Sequence, residues 1–198
     1  MIKSEMLALC AADLADALSK WYRCLRHERQ LSRHTLRAYS QDVSTFLQFL
    51  SGHKGEAISL DTLSETSLGD FRAWLSRKAM NGAAASSRAR SLSGVKNFLS
   101  WLDHEGIMHN PSVNIVRSPK LPHKLPRPLF EKQAFELLDY TDDKGDWIAI
   151  RNSALFTLLY GCGLRISEAL DLDIKDLPRD GFLRVMGKGG RERQVPVL

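Results

Sequence analysis

Apolar residues in the first half of the chain recur every three or four positions, the period of one helix face. Leu14, Leu18, Trp21, Tyr22 and Leu25 form the first such stripe. Ser32 stands where a cap belongs. After it Leu36, Tyr39, Val43, Phe46, Leu47 and Leu50 predict a second helix, with Gly52 as its stop. Leu68, Phe71, Trp74 and Leu75 predict a third, ending near Asn81-Gly82. Leu92, Val95, Phe98, Leu99 and Leu102 predict a fourth, ending near Gly106. Four helices joined by short connections predict a bundle.

The periodicity stops at Asn110. From there to Pro128 the chain holds five of its seven prolines: Pro111, Pro119, Pro122, Pro126 and Pro128. Proline has no amide donor and keeps the residue before it extended, so this stretch predicts neither helix nor central strand. It also carries Arg117, Lys120, Lys124 and Arg127. We read 110–127 as an extended basic linker between a helical domain, 1–109, and a second domain, 128–198. It is either a solvated spacer or a strap lying along a phosphate backbone.

Beyond the linker, 130–140 predicts a short amphipathic helix and 146–160 a more buried one, apolar on most faces. Gly161-Cys162-Gly163 breaks it, and a short helix restarts around Ser167 to Leu170. Phe182, Val185, Val195 and Val197 flank a glycine-rich, charged tip, Gly187-Lys188-Gly189-Gly190-Arg191, which predicts a hairpin. The sequence reaches Leu198 inside the second expected strand, which predicts an incomplete second domain. The overall class is mainly α, with an α+β start to the second domain.

Composition narrows the partners. The 198 residues are 43% hydrophobic and 26% charged, with net charge +5, a soluble globular balance that favours polyanions. Cys10, Cys24 and Cys162 are too far apart for a zinc site or a disulfide framework and are expected to be reduced, buried thiols. No stretch approaches the ~20 apolar residues of a membrane span, and no signal-peptide layout opens the chain. We therefore expect a cytoplasmic protein with no membrane partner.

Two helix faces suit phosphate contact. The fourth helix opens with Ser86, Ser87, Arg88 and Arg90, followed by Ser93, Lys96 and Asn97. The second presents Arg33, His34, Arg37 and Ser40. Hydroxyls and guanidinium groups in the first turns add to the free amides and positive dipole end there. Lys120 and Lys124 extend the same basic character into the linker.

A third constellation points to chemistry. Arg165 follows two glycines, Glu168 lies one helical turn on, and Lys188 comes 23 residues after Arg165. A guanidinium held by a carboxylate suits the charge that develops on phosphate oxygens, and a lysine at a flexible tip can protonate a leaving oxygen. From spacing alone, an ordinary helix ion pair and an exposed turn lysine are equally compatible.

The run YGCGLRISEALDLDIKDL followed by VMGKGGRERQVPV resembles the first catalytic box and hairpin of tyrosine site-specific recombinases, in particular the Xer-type and phage-integrase group. RQLSRHTLRAYSQDVSTFLQFL and SSRARSLSGVKNFLSWLDHEGIMHNP resemble two helices of that family's core-binding domain, and in the hairpin run Arg191 stands where lysine is common. The resemblance implies a four-helix, SAM-like core-binding domain followed by the start of a recombinase catalytic domain. It implies Arg165 on the scissile phosphate, Lys188 as the acid for the leaving 5′ oxygen, and Glu168 supporting Arg165. It implies strand transfer through a phosphotyrosine link, with no metal or ATP as cofactor. The implied partners are double-stranded DNA and, in the intact parent, a tetramer with itself or a paralogous recombinase.

The family's later His-x-x-Arg box and terminal tyrosine have no counterpart in place. His34-Thr35-Leu36-Arg37 has the spelling but lies far upstream. Tyr22, Tyr39, Tyr140 and Tyr160 all precede the hairpin and fall on apparent core stripes. The expectation is a chain that binds DNA without turnover. The alternative is a natural, non-catalytic DNA-binding regulator with a recombinase-like fold.

Overall fold

Where each stripe starts and stops is decided by the residues at its ends. A computed structural model describes residues 4–121, 128–138, 146–178, 180–187 and 191–197. They divide into two compact units, Met1–His123 and Lys124–Leu198.

In the first unit, α1 (Ser4–Leu7) is a single turn and α2 (Ala12–Arg23) buries Leu14, Ala17, Leu18 and Trp21. A π turn, Cys24–Glu28, continues it. Helix α3 (Arg33–Lys54) begins as expected: the Thr35 amide donates to Ser32 Oγ at 3.3 Å. It passes through Gly52 and ends at Gly55, whose φ of 77° supplies the left-handed cap that a side chain would resist. The stop expected at Gly52 is thus displaced by one turn. Helix α4 (Leu60–Ser64) is short. Helix α5 (Leu68–Met80) opens with a reciprocal Ser67–Asp70 capping box, and α6 (Ala85–His104) closes the bundle. The four long helices match the four apolar stripes.

The core of this unit is aromatic. Trp21 meets Phe98 at 5.0 Å between ring centres, and Phe46 meets Phe71 at 5.2 Å and Trp74 at 5.1 Å. Helices α3 and α6 approach closely at Gly94, where an added Cβ would lie 2.9 Å from both Cβ and Oδ2 of Asp42. Asp42 is buried and accepts from Arg90 Nη1 at 2.7 Å, Arg90 Nη2 at 3.1 Å and Ser91 Oγ at 2.9 Å.

The front of the expected linker is corrected. Residues 112–115 form a turn of helix, α7 (Ser112–Ile115), and Val113 and Val116 are buried in the bundle core. Asn110 is buried as well, its Nδ2 donating to the carbonyls of Leu63 (2.9 Å), Ser64 (3.1 Å) and Thr66 (2.9 Å). Pro111 does not prevent this helix because it precedes the first turn, where no amide donor is needed. The remaining linker residues 122–127, Lys124 among them, lie outside the described residues.

The second unit contains α8 (Glu131–Leu138), α9 (Trp147–Gly161), α10 (Ile166–Leu170) and a 3₁₀ turn, Ile174–Asp176. Strands β1 (Phe182–Met186) and β2 (Glu192–Pro196) pair antiparallel, with Leu183 opposite Val195 and Met186 opposite Glu192. Val197 lies past the end of β2 and donates its amide to Gly181. Leu164, Ala169, Leu183 and Val185 form a small core against one side of α9. The expectation of a buried helix at 146–160 is corrected. None of its residues is fully buried in this unit, and Trp147 is 65% and Ile150 61% exposed. The small core occupies only one stripe of a helix that is apolar on most faces.

Gly94→Ala should destabilise the first unit. Alanine favours a helix by about 1 kcal/mol over glycine, but overpacking a pinned neighbour costs about 1–3 kcal/mol. Asp42 cannot move without breaking its contacts to Arg90 and Ser91. Urea unfolding should therefore show a net loss of stability despite the better helix former, whereas unchanged or raised stability would mean that α3 and α6 separate freely.

Candidate functional site

The break after α9 aims Arg165. Gly163 takes a left-handed φ of 61°, and the Leu164 amide donates back to Leu158 O. Arg165 then caps α10 with an extended backbone, φ −73° and ψ 151°. Its amide donates to Glu168 Oε2 at 2.8 Å, and its Nη1 donates to Glu168 Oε1 at 2.8 Å. The Arg165 side chain is 66% exposed, that of Glu168 only 5%. The carboxylate is inside and the guanidinium outside, so the remaining Arg165 donors face solvent.

Sequence reasoning missed the group that completes the cluster. Arg193 on β2 donates Nη1 to Glu168 Oε1 and Nη2 to Oε2, both at 2.7 Å. A bidentate fork of this kind is the strongest geometry an arginine offers a carboxylate. The available signal was strand alternation: Arg193 shares the half-buried side of β2 with Val195. A cation on the inward face of a short strand requires an acid. These donors hold the Glu168 carboxyl far below its usual range, the Arg193 hydrogen bonds first and the Arg165 backbone amide next, against the opposing effect of burial. The same contact raises the Arg193 guanidinium above its ordinary value. Glu168 thus stays ionised at neutral pH, and Arg165 is the more exposed of the two guanidinium groups it holds.

Lys188 lies outside the described residues, but the base of its loop is defined. The Gly187 amide donates to Arg191 O at 2.7 Å, and a Cβ on Gly187 would lie 4.0 Å from Glu168 Oε1. The hairpin therefore starts its turn beside the arginine cluster.

The expected DNA-facing residues separate into free and committed groups. Arg33, His34 and Arg37 are exposed on α3, and Ser40 is half-buried with its Oγ enclosed and unpartnered. Ser87 and Lys120 are exposed, and Arg88 is half-buried. Arg90 is held by Asp42, although its side chain remains 56% exposed. Lys96 reaches across to Val116 O at 2.8 Å and fastens the exit from α7. Asn97 accepts from Trp21 Nε1 at 3.2 Å. The helix face drawn from α6 alone thus includes side chains whose partners lie elsewhere in the bundle.

Tyr22 and Tyr39 pack against the first core. Tyr160 does not follow the core expectation: it is exposed, with its ring edge-on to Phe135 at 6.0 Å. Tyr140 lies outside the described residues. Of the cysteines only Cys24 is buried, while Cys10 and Cys162 are intermediate. Burial, and then Asp13, pushes the Cys10 thiol up to about 11. Among the described residues no cluster of His, Cys, Asp and Glu could hold a metal ion, and no helix is long and apolar enough to cross a membrane.

Comparison with known proteins agrees with this arrangement. Residues 18–106 match the phage integrase N-terminal SAM-like domain, and residues 127–198 match the phage integrase family. The chain is 48% identical to tyrosine recombinase XerC of Rhodospirillum centenum over 96% of its own length and 56% of that protein. It is 40% identical to tyrosine recombinase XerC of Brucella suis over 98% of its length and 63% of that protein. It thus spans roughly three fifths of the curated relatives it matches. A lambda integrase tetramer bound to a Holliday junction shares the fold at TM-score 0.68 and 18% identity, covering 96% of this chain and 50% of that one. The XerH site-specific recombinase bound to difH substrate shares it at 0.56 and 19%, covering 89% and 52%.

The fold is that of a DNA-integrase core-binding domain joined to the opening of an integrase catalytic domain. The chain belongs to the phage integrase family, and its sequence is similar to those of Xer-type tyrosine recombinases.

Because the folded-state carboxyl titrates far below its free value of 4.5, it contributes stability that is complete above that value and declines as pH falls below it. Amide exchange at Gly187 and Val197 should therefore accelerate as pH drops beneath 4.5, after correction for the intrinsic rate. In Glu168→Gln the protection should be lower at neutral pH and should lack this acid-dependent part. An identical pH profile in both proteins would remove Glu168 from the account of hairpin stability.

Proposed function

We propose that this chain supplies the DNA-binding unit and the phosphate-activating front of a site-specific recombinase. The reaction is strand exchange through a phosphotyrosine link. The observation that carries this reading is the Arg165 guanidinium, braced by Glu168 and left open to solvent, in a chain 48% identical to a tyrosine recombinase.

In this reading Arg165 contacts a non-bridging oxygen of the scissile phosphate. A tyrosine oxygen attacks phosphorus, the bond to the 5′ oxygen breaks, and Lys188 gives that oxygen its proton. The products are a 3′-phosphotyrosyl link and a 5′-hydroxyl. Glu168 and Arg193 touch neither phosphate nor leaving group and act by fixing Arg165. None of the four tyrosines is assigned as the nucleophile. The scheme uses no metal or nucleotide cofactor.

The proposed division is a DNA-binding domain, a linker and a catalytic unit beginning near Pro128. The linker's start moves from 110 to beyond Val116, where packing into the first core ends. Arg33, His34, Arg37, Ser40, Ser87, Arg88 and Lys120 are the proposed backbone contacts, with Lys124 as a further candidate. Arg90 contributes only what its Asp42 contact leaves free, and Lys96 is reassigned to holding Val116. Double-stranded DNA is the partner, with a tetramer of this protein or a paralogous recombinase assembling on it in the cytoplasm.

The 198-residue chain should bind duplex DNA with an affinity that falls steeply as salt rises, since each phosphate neutralised releases counterions. It should form no covalent adduct with a nicked suicide duplex, and an adduct would place the nucleophile within these residues. In the whole-length recombinase, Arg165→Ala should lower strand cleavage by roughly 100- to 1000-fold, as loss of one preorganised donor to a developing oxyanion does. Duplex affinity should stay within about twofold, a change of under 1 kcal/mol. Equal loss of binding and cleavage would indicate a folding role.

A further inference from the structure

Gly187 is a glycine whose backbone conformation does not call for one. Its φ lies outside the left-handed range, so alanine would meet no conformational penalty there. Its place in the hairpin explains it instead. By strand alternation the inward side of β1 runs Leu183, Val185 and then Gly187. Val195 and Arg193 of β2 stand opposite the first two, and the Gly187 amide closes the turn by donating to Arg191 O at 2.7 Å.

A Cβ on Gly187 would point into the arginine cluster. It would lie 3.2 Å from Arg191 O, 3.5 Å from Arg193 Nη1 and 4.0 Å from Glu168 Oε1. The first distance is shorter than ordinary van der Waals contact. Neither close neighbour can retreat freely. Arg191 O accepts the hydrogen bond that closes the turn, and Arg193 Nη1 is spent on Glu168 Oε1 at 2.7 Å. Glu168 in turn accepts from both Nη groups of Arg193 and from the amide and Nη1 of Arg165. One buried carboxylate is therefore shared by a guanidinium on the hairpin and a guanidinium at the start of α10. Charge-assisted bonds on both of its oxygens fix its orientation, so a displacement on one side is passed to the other.

We propose that Gly187 and Arg193 are positioning residues that lock the base of the hairpin turn to the Arg165 guanidinium through Glu168. Gly187 supplies the room that the Arg193 fork occupies, and Arg193 carries the connection to the carboxylate. Lys188 is the next residue in the sequence, so the point from which the acid departs is tied to the arginine that holds the phosphate. Acid transfer is sensitive to placement on the scale of an ångström, which gives such a tie its value. The tie rests on the contacts of Gly187, Arg193, Glu168 and Arg165; the acid role of Lys188 rests on the function proposed above, which this inference deepens.

The test has two arms. In the 198-residue chain, nitrogen NMR of the Arg193 guanidinium reads the tie directly. Gly187→Ala should shift the Arg193 signals and speed their exchange with water, whereas Gly52→Ala, at a helical glycine with open space around it, should leave them unchanged. In the whole-length recombinase, cleavage of an ordinary duplex is compared with cleavage of one whose scissile 5′ oxygen is replaced by sulfur. The P–S bond then breaks to release a thiolate, which needs no proton because a thiol is a far stronger acid than an alcohol. Gly187→Ala should slow ordinary cleavage by roughly 10- to 100-fold at unchanged duplex affinity, and sulfur should restore most of the rate. Arg193→Lys keeps the charge but loses the fork, so it should slow both substrates and be restored only in part. Unaltered Arg193 signals in Gly187→Ala would overturn the proposal. So would undiminished ordinary cleavage, or a Gly187→Ala defect that sulfur does not relieve. Full restoration of Arg193→Lys would show that Arg193 serves the acid alone and would overturn the shared tie. Should sulfur fail to restore Lys188→Ala, the acid assignment made above fails, while the guanidinium signals still decide the tie.

Discussion

A buried carboxylate must be met by donors or it will not stay ionised, and this requirement organises both units. Moving a charge out of water costs several kcal/mol unless close hydrogen bonds replace the lost hydration. Three acids are buried among the described residues: Asp42, Asp70 and Glu168. Asp42 is met by Arg90 and Ser91, Asp70 by the Ser67 amide and hydroxyl with His53 and Lys54 nearby, and Glu168 by Arg193 and Arg165. Each contact joins parts of the chain that apolar packing alone would leave free to slide. Asp42 fixes α6 against α3, Asp70 caps α5 against the end of α3, and Glu168 ties β2 to the start of α10. Removing one partner of such a set leaves the other charge buried and unmet, so these contacts specify geometry more than they add stability.

The sequence was informative wherever one element carries its own signal. The four long helices were legible because each shows an uninterrupted apolar stripe, and Ser32 because a hydroxyl before such a stripe has few other uses. The Arg165–Glu168 contact was legible because its members are three residues apart on one turn. Long-range partners were not. Nothing near Arg90 announces Asp42, and nothing near Lys96 announces the carbonyl of Val116. Both residues read as free cations until the bundle brings their partners together. Arg193 was hidden for the same reason, since its acid lies in another element.

The linker shows a different failure. Proline density predicts no ordered helix from Asn110 onward, yet Pro111 sits before the first turn, where its missing donor costs nothing. Asn110 then fastens the segment with three side-chain hydrogen bonds to the carbonyls of Leu63, Ser64 and Thr66. A composition signal spread over 19 residues could not register that the first seven belong to a core. The buried character expected of α9 failed through the opposite error. Its residues are apolar on most faces, but burial depends on what packs against them, and the second unit's core reaches one stripe only.

Arginine has three different states in this chain, and the distinction comes from the nearest carboxylate. Arg193 is fully committed: both ends of its fork lie on Glu168, and its charge serves only to hold β2 and that acid together. Arg165 is half committed. One Nη group is fixed by the same acid, so its orientation is set before any ligand arrives, and its other donors are available. Preorganisation of this kind lets a guanidinium stabilise charge that appears only during reaction, because no reorientation is needed then. Arg33 and Arg37 are exposed and have no carboxylate partner among the described residues, which suits binding through exchange of counterions more than catalysis. A residue that must act on a transition state is held by the protein, and one that must grip a polyanion is left for the polyanion to hold.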